Sequence, residues 1–374
     1  MLACSVRPHC MRQLTGKLPH TIHTNLVLRT IALGANRLQR SNIHSLSSDS
    51  INHTYGSGLT HTNSVCTHSQ KQLYIPRQYI SYTPHPPVRI SCAYQGKPRR
   101  PAARPSPINT YNTPTQPHLY THLDHNDTNM ARLPDSGEDA FFVHETDDAH
   151  YIGVADGVGG WQEMGVDPAL FAWALMNHTR DAIREGMHLD IRDALKYAHE
   201  KIVEDGLVTH GSSTACVVKV EKKTRIMTVC NLGDSGLQIY DRDGKLAART
   251  PSQQHGFNFP YQLAVMPPDM REGAMMHTMA DGDLFQYQMK DEQVMLLATD
   301  GLFDNMFPSD IEATFKEVGV GNMDKLATSL VRKAESLSKD QRRRSPFTVE
   351  AEKHGYTDML GGKPDDITLI VLAV

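Results

Sequence analysis

An α+β fold, with antiparallel sheets packed together and helices outside them, is predicted by three observations. Nine short strand-like runs follow one another between residues 140 and 374. Several are joined by only a few turn residues, which favours hairpins over crossovers. Four segments carry helical periodicity, and they do not alternate one-for-one with the strands as a doubly wound parallel fold requires.

In chain order, strands are expected at 140–144, 151–155, 214–220, 225–231, 236–240, 245–250, 284–289, 294–298 and 367–374. Asp241-Arg242-Asp243-Gly244 is a hairpin turn between two of them. Helices are expected at 168–186, 190–205, 309–317 and 323–338, with Pro168 and Pro308 at or beside helix starts, where a missing N–H costs nothing. Cys216 and Cys230 sit in apolar strands as small buried hydrophobes, and the six cysteines show no paired spacing. A disulfide framework or a zinc site is therefore not expected.

The chain of 374 residues is divided by charge. Asp49 is the only acidic residue between Met1 and His122, against thirteen Lys and Arg, whereas the remainder holds 41 acidic and 25 basic residues. Residues 1–40 are arginine-bearing and acid-free, with Arg29, Arg37 and Arg40 on one side of a helical wheel, the pattern of an organelle transit segment. Residues 41–128 are a Pro-, Thr- and His-rich basic stretch, expected to be a disordered linker because it cannot bury enough apolar surface to offset chain entropy. Residues 129–374 form the folded domain. No window reaches the roughly 18 apolar residues of a membrane span, so a soluble protein is expected. Gly157, Gly159 and Gly160 complete no dinucleotide fingerprint, no phosphate-binding P-loop is present, and no nucleic-acid partner is expected.

The chemistry is sought in carboxylates at strand ends. Asp-Gly occurs five times; at 205–206, 243–244 and 281–282 it reads as ordinary turn chemistry. Asp156-Gly157 and Asp300-Gly301 differ, because each directly ends an apolar run. Asp365-Asp366 and Glu138-Asp139 precede strands, and Asp234 lies between two. Carboxylates gathered at one sheet edge repel each other unless a cation neutralises them. An all-oxygen set suits Mg²⁺ or Mn²⁺ rather than zinc. Trp161 and Phe303 read as packing residues, His255 as structural, and Arg342-Arg343-Arg344 as a solvated face.

In order, Asp156-Gly157-Val158-Gly159-Gly160-Trp161, Gly211-Ser212-Ser213-Thr214-Ala215, Asn231-Leu232-Gly233-Asp234-Ser235, Ala298-Thr299-Asp300-Gly301-Leu302-Phe303-Asp304-Asn305 and Lys363-Pro364-Asp365-Asp366 resemble the motifs of the 2C-type metal-dependent protein phosphatases. The resemblance runs from about Gly137 to Val374. Gly165-Val166-Asp167-Pro168 and Gln253-Gln254-His255-Gly256-Phe257-Asn258 are most similar to its mitochondrial branch, which includes the phosphatase tied to coenzyme Q biosynthesis.

The resemblance implies a four-layer α-β-β-α sandwich with two antiparallel β-sheets and a binuclear Mn²⁺ or Mg²⁺ site at one end. It implies Asp156 bridging two ions, the Gly157 carbonyl on one, and Asp300 and Asp365 on the other. Glu138, Asp139 and Asp366 would act from behind these ligands, and Asp234 is a candidate ligand for a third ion. The reaction implied is hydrolysis of phosphoserine and phosphothreonine on proteins by a metal-bound hydroxide, in a monomer of the mitochondrial matrix. The arginine that the family places four residues before the Glu of its Glu-Asp pair is here Pro134. Arg132, two residues upstream, is the candidate for phosphate binding. A phosphatase-fold scaffold without activity and a phosphohydrolase of a small metabolite are the alternatives.

Overall fold

The computed structural model describes residues 88–97, 136–187 and 190–374. The expected transit segment, Arg132 and Pro134 lie outside these residues.

Two five-stranded antiparallel sheets form the centre. One has the order β12-β6-β5-β3-β2, built from β2 (Asp139–Glu145), β3 (Ala149–Asp156), β5 (Ala215–Glu221), β6 (Ile226–Leu232) and β12 (Asp283–Gln288). The other has the order β1-β14-β13-β7-β8, from β1 (Arg89–Gln95), β7 (Gly236–Tyr240), β8 (Leu246–Arg249), β13 (Val294–Ala298) and β14 (Ile367–Ala373). Helices α1 (Pro168–Arg184) and α2 (Ile191–Asp205) cover the first sheet; α5 (Pro308–Val318) and α6 (Met323–Ser338) cover the second. The expected α+β sandwich is what the structure contains.

Sequence alternation explains the layering. In the second sheet Leu237, Ile239, Met295, Leu297, Ile370 and Leu372 face the core shared with the first sheet. Their neighbours Tyr240, Val294, Leu296, Ala298, Leu369 and Val371 turn the other way, onto the α6 layer. Both faces are apolar because both are buried, so a period-two strand reads here as a nearly continuous apolar run. Asp167 caps α1 by accepting the Ala169 N–H at 3.1 Å, ahead of Pro168. Asp190 caps α2 through the N–H groups of Arg192 and Asp193.

One element lies where none was expected. Arg89–Gln95 falls inside the stretch read as a disordered linker, yet it is β1, paired along its whole length with Ile367–Ala373. Val88, Ile90, Cys92 and Tyr94 pack on the core between the sheets, and Ala93 packs on the α6 side. The folded unit therefore begins well before residue 129. The proline-rich, acid-poor composition was a poor guide because β14 supplies a ready-made edge. Seven residues with apolar alternation suffice to fill it.

Short elements missing from the sequence reading surround one end of the sheets. They are β4 (Gly211–Ser213) paired with β11 (Leu263–Val265), β9 (Gln254–Gly256) paired with β10 (Phe259–Pro260), a 3-10 turn at Gly159–Met164, and α3 (Pro268–Arg271), α4 (Asp300–Phe303) and α7 (Pro346–Lys353). Each is too short to show a period. Among the described residues no helix is long and apolar enough to cross a membrane.

Candidate active site

Antiparallel pairing brings the acidic strand ends together. Neighbouring strands run in opposite directions, so the start of one lies beside the end of the next. In the first sheet Asp139 opens β2 directly opposite Asp156, which closes β3. In the second, Ala298 closes β13 beside Leu369 of β14, so Asp300-Gly301 and Asp366 follow just beyond the pair, with Gly301 against the Asp366 backbone. The two edges are tied across the sandwich: the Thr299 hydroxyl donates to Asp139 Oδ2 at 2.8 Å, and the Glu138 N–H donates to Asp366 Oδ2 at 2.9 Å. Asp156, Asp139, Glu138, Asp300, Asp365 and Asp366 thus share one edge.

Glycine permits two close approaches there. Gly137 has φ +75° and leaves no room for a Cβ, which would sit 1.8 Å from Asp366 Oδ1. A Cβ at Gly301 would come within 2.0 Å of the Asp366 carbonyl oxygen. Asn305 then clamps the far loop, donating to Gly301 O and Lys363 O and accepting the Lys363 N–H, each at 2.9 Å.

Two lysines that had no assigned role stand among the carboxylates. Lys363 Nζ bonds Asp300, reaches Asp304 at 2.9 Å and lies 3.1 Å from Asp365. Lys97, just past β1, reaches Asp365 at 2.8 Å and Glu138 at 3.0 Å. Glu138 also accepts a hydrogen bond from the Gln162 side chain. Lys363 was legible as part of its motif, but nothing nearby in sequence signals that Lys97 approaches a carboxylate 268 residues away.

The electrostatics are those of crowded anions. Burial first, then the charge of Asp300, pushes the acids of Asp156 and Asp234 well above the usual carboxylate range. Burial does the same to Asp139, reinforced by Asp366. Asp304 is pushed up to about 7 by burial, against the pull of Lys363. Asp365 is the exception: burial raises it, but Lys363 and Lys97 together hold it below the usual range.

The donors suit a hard divalent cation. All candidate ligands are oxygens, and Asp300 Oδ1 and Asp234 Oδ1 are buried with no hydrogen-bond donor. Among the described residues no three metal-ligating side chains are assembled around an open cation position, and the ammonium groups of Lys97 and Lys363 stand among the carboxylates. Asp156, Asp300 and Asp365 lie at this same end of the sandwich, close enough for their charges to act on one another. Asp234 stands beside them, held by Gln254 Nε2 at 3.1 Å.

The secondary readings also have definite places. Trp161 Nε1 donates to Ser212 Oγ at 2.6 Å and Phe303 lines a cleft. His255 stacks on Tyr261 and His277 with ring centroids 4.3 and 4.8 Å apart. Arg343 and Arg344 pair with Asp310 and Glu352, so the basic run is partly neutralised. Beside Asp234 and Asp304 opens a cleft of 710 Å³, lined also by Phe303, Phe307, Val349 and His354.

This architecture is that of a 2C-type phosphatase. The X-ray structure of the photosystem II phosphatase PBCP superimposes over 77% of this chain and 99% of its own, with a TM-score of 0.59 and 29% identity. The protein phosphatase PTC7 homolog of Xenopus laevis is 37% identical over 246 residues, covering 64% of this chain and 81% of its own. The human PTC7 homolog is 37% identical over 246 residues, 79% of its length. No family model matches the chain. The chain belongs to the PTC7 family of serine/threonine protein phosphatases.

Proposed function

We propose that this phosphatase works through Mn²⁺ or Mg²⁺ held at the shared sheet edge by Asp156, the Gly157 carbonyl, Asp300 and Asp365, two ions in all. Asp234 is the candidate for a third. Such a cation supplies Lewis acidity, polarising the phosphate and acidifying water. The chain's own residues do the rest. Thr299 holds Asp139, and Asp366 ties the segments before β2 and β14. Asp304 and Lys363 keep Asp300 oriented. The cleft beside Asp234 and Asp304 offers the phosphorylated substrate a place next to the carboxylates.

One observation carries the reading: a buried Asp300 oxygen without a donor, among carboxylates whose acids burial and mutual repulsion push upward. The acid-free, arginine-bearing first forty residues support delivery to the mitochondrial matrix. The test is phosphate release from phosphoserine and phosphothreonine peptides by the full chain. Turnover with Mn²⁺ and none in EDTA is expected; equal rates in both would refute the metal centre.

A further inference from the structure

Lys97 is a cation that this chemistry does not yet use. Its backbone N–H donates to Asp366 Oδ1 at 2.6 Å, so the base of the side chain is fixed against the cluster. Its ammonium lies 2.8 Å from Asp365, 3.0 Å from Glu138 and 3.4 Å from Asp366. Lys363, the other ammonium at this edge, is 15% exposed and held among three carboxylates on the α4 side. Lys97 is 29% exposed, so it is the one an arriving substrate can reach more readily.

A phosphate monoester carries nearly two negative charges at neutral pH and must approach an edge of carboxylates. It needs a positive partner at the rim, and an ammonium on a flexible stem can provide one. Pro134 offers no charge at the position four residues before Glu138, and Arg132 lies outside the described residues.

We propose that Lys97 grips the substrate phosphate, delivered by β1, the edge strand beside β14. The inference rests on the phosphatase reading of the same edge. The ammonium exchanges carboxylate oxygens for a phosphate oxygen. It keeps its proton, and no covalent bond changes. Its backbone bond to Asp366 does not depend on the side chain, so substitution leaves that tether in place.

Full-length wild type, Lys97→Met and Lys97→Arg distinguish the outcomes, each loaded with Mn²⁺. Calorimetric titration with inorganic phosphate gives a binding constant independent of turnover, and phosphothreonine-peptide kinetics give KM and kcat. Lys97→Met is expected to weaken phosphate binding and raise KM by about ten- to a hundredfold, the effect of losing one charged hydrogen bond. Its affinity for Mn²⁺ stays within about threefold, and Lys97→Arg restores most of the phosphate affinity. Wild-type phosphate affinity in Lys97→Met overturns the assignment, as does an equal loss of Mn²⁺ affinity, which would make the lysine structural. Should Lys97→Met melt early, Lys97→Gln gives the same readout in a side chain of polar reach. A wild-type enzyme inactive with Mn²⁺ would instead count against the metal-dependent reading itself.

Discussion

The carboxylate edge has two halves that meet at Asp365. On one side Lys363 joins Asp300 and Asp304, presented by β13, α4 and the loop before β14. On the other side Lys97 joins Glu138 and Asp366, presented by β1, the start of β2 and the start of β14. The first half is made from residues close to their own motifs. The second requires a strand from a remote, proline-rich part of the chain. The contrast separates what a motif can announce from what only an added edge strand can complete.

The largest expected effect distinguishes the halves by chemistry. Asp300→Asn should lower kcat by roughly a thousandfold or more, because it removes a proposed cation ligand. Its melting temperature should not fall much, since one charge fewer also relieves repulsion. Glu138→Gln, on the Lys97 side, should cost only about ten- to a hundredfold. Equal losses in the two variants would erase the distinction drawn between ligand and supporting residue.

Next comes the structural dependence on β1. A chain beginning at residue 130 loses the pairing of Arg89–Gln95 with β14 and the packing of Ile90, Cys92 and Tyr94. The cost should be on the order of 4 kcal/mol, lowering the melting temperature by about 10 °C in calorimetry. A change below about 2 °C would show that the strand adds nothing to the fold.

A single methyl group tests the seam between the halves. Gly301→Ala puts a Cβ 2.0 Å from the Asp366 carbonyl oxygen. Thermal melts should show about 2–3 kcal/mol of destabilisation, and unchanged stability would mean that the contact relaxes freely.

The smallest effect is in pH. Asp304 titrates near 7 in the folded protein, chiefly through burial, against about 4 when unfolded. Its folded pKa is raised, so the stability it contributes is full below about pH 4 and is lost as pH rises through about 7. Melts of EDTA-treated protein should therefore decline more steeply between pH 5 and 7.5 for wild type than for Asp304→Asn. Identical slopes would remove Asp304 as the source.

The same contrast explains what was legible in the sequence. Asp156 and Asp300 could be singled out among five Asp-Gly pairs because each ended an apolar run; antiparallel pairing placed each at the end of its own sheet, and the Thr299–Asp139 bond joins the two ends. The layers were legible because apolar runs such as 294–298 and 367–374 are buried on both faces. β1 was not, although Val88, Ile90, Cys92 and Tyr94 alternate, because the composition around it argued for disorder. Lys97 was hidden for the same reason. The short pairs β4–β11 and β9–β10 owe their existence to partners fifty residues away or to one tight turn, and leave no period to detect.

The central claim is that this edge holds a divalent cation, and stability reads that directly. Protein stripped with EDTA and then given Mn²⁺ at about a hundred times its dissociation constant should gain about 2.7 kcal/mol, or roughly 5–10 °C in melting temperature. Asp300→Asn should gain much less. A wild-type melting curve that does not move when Mn²⁺ is restored would contradict the account.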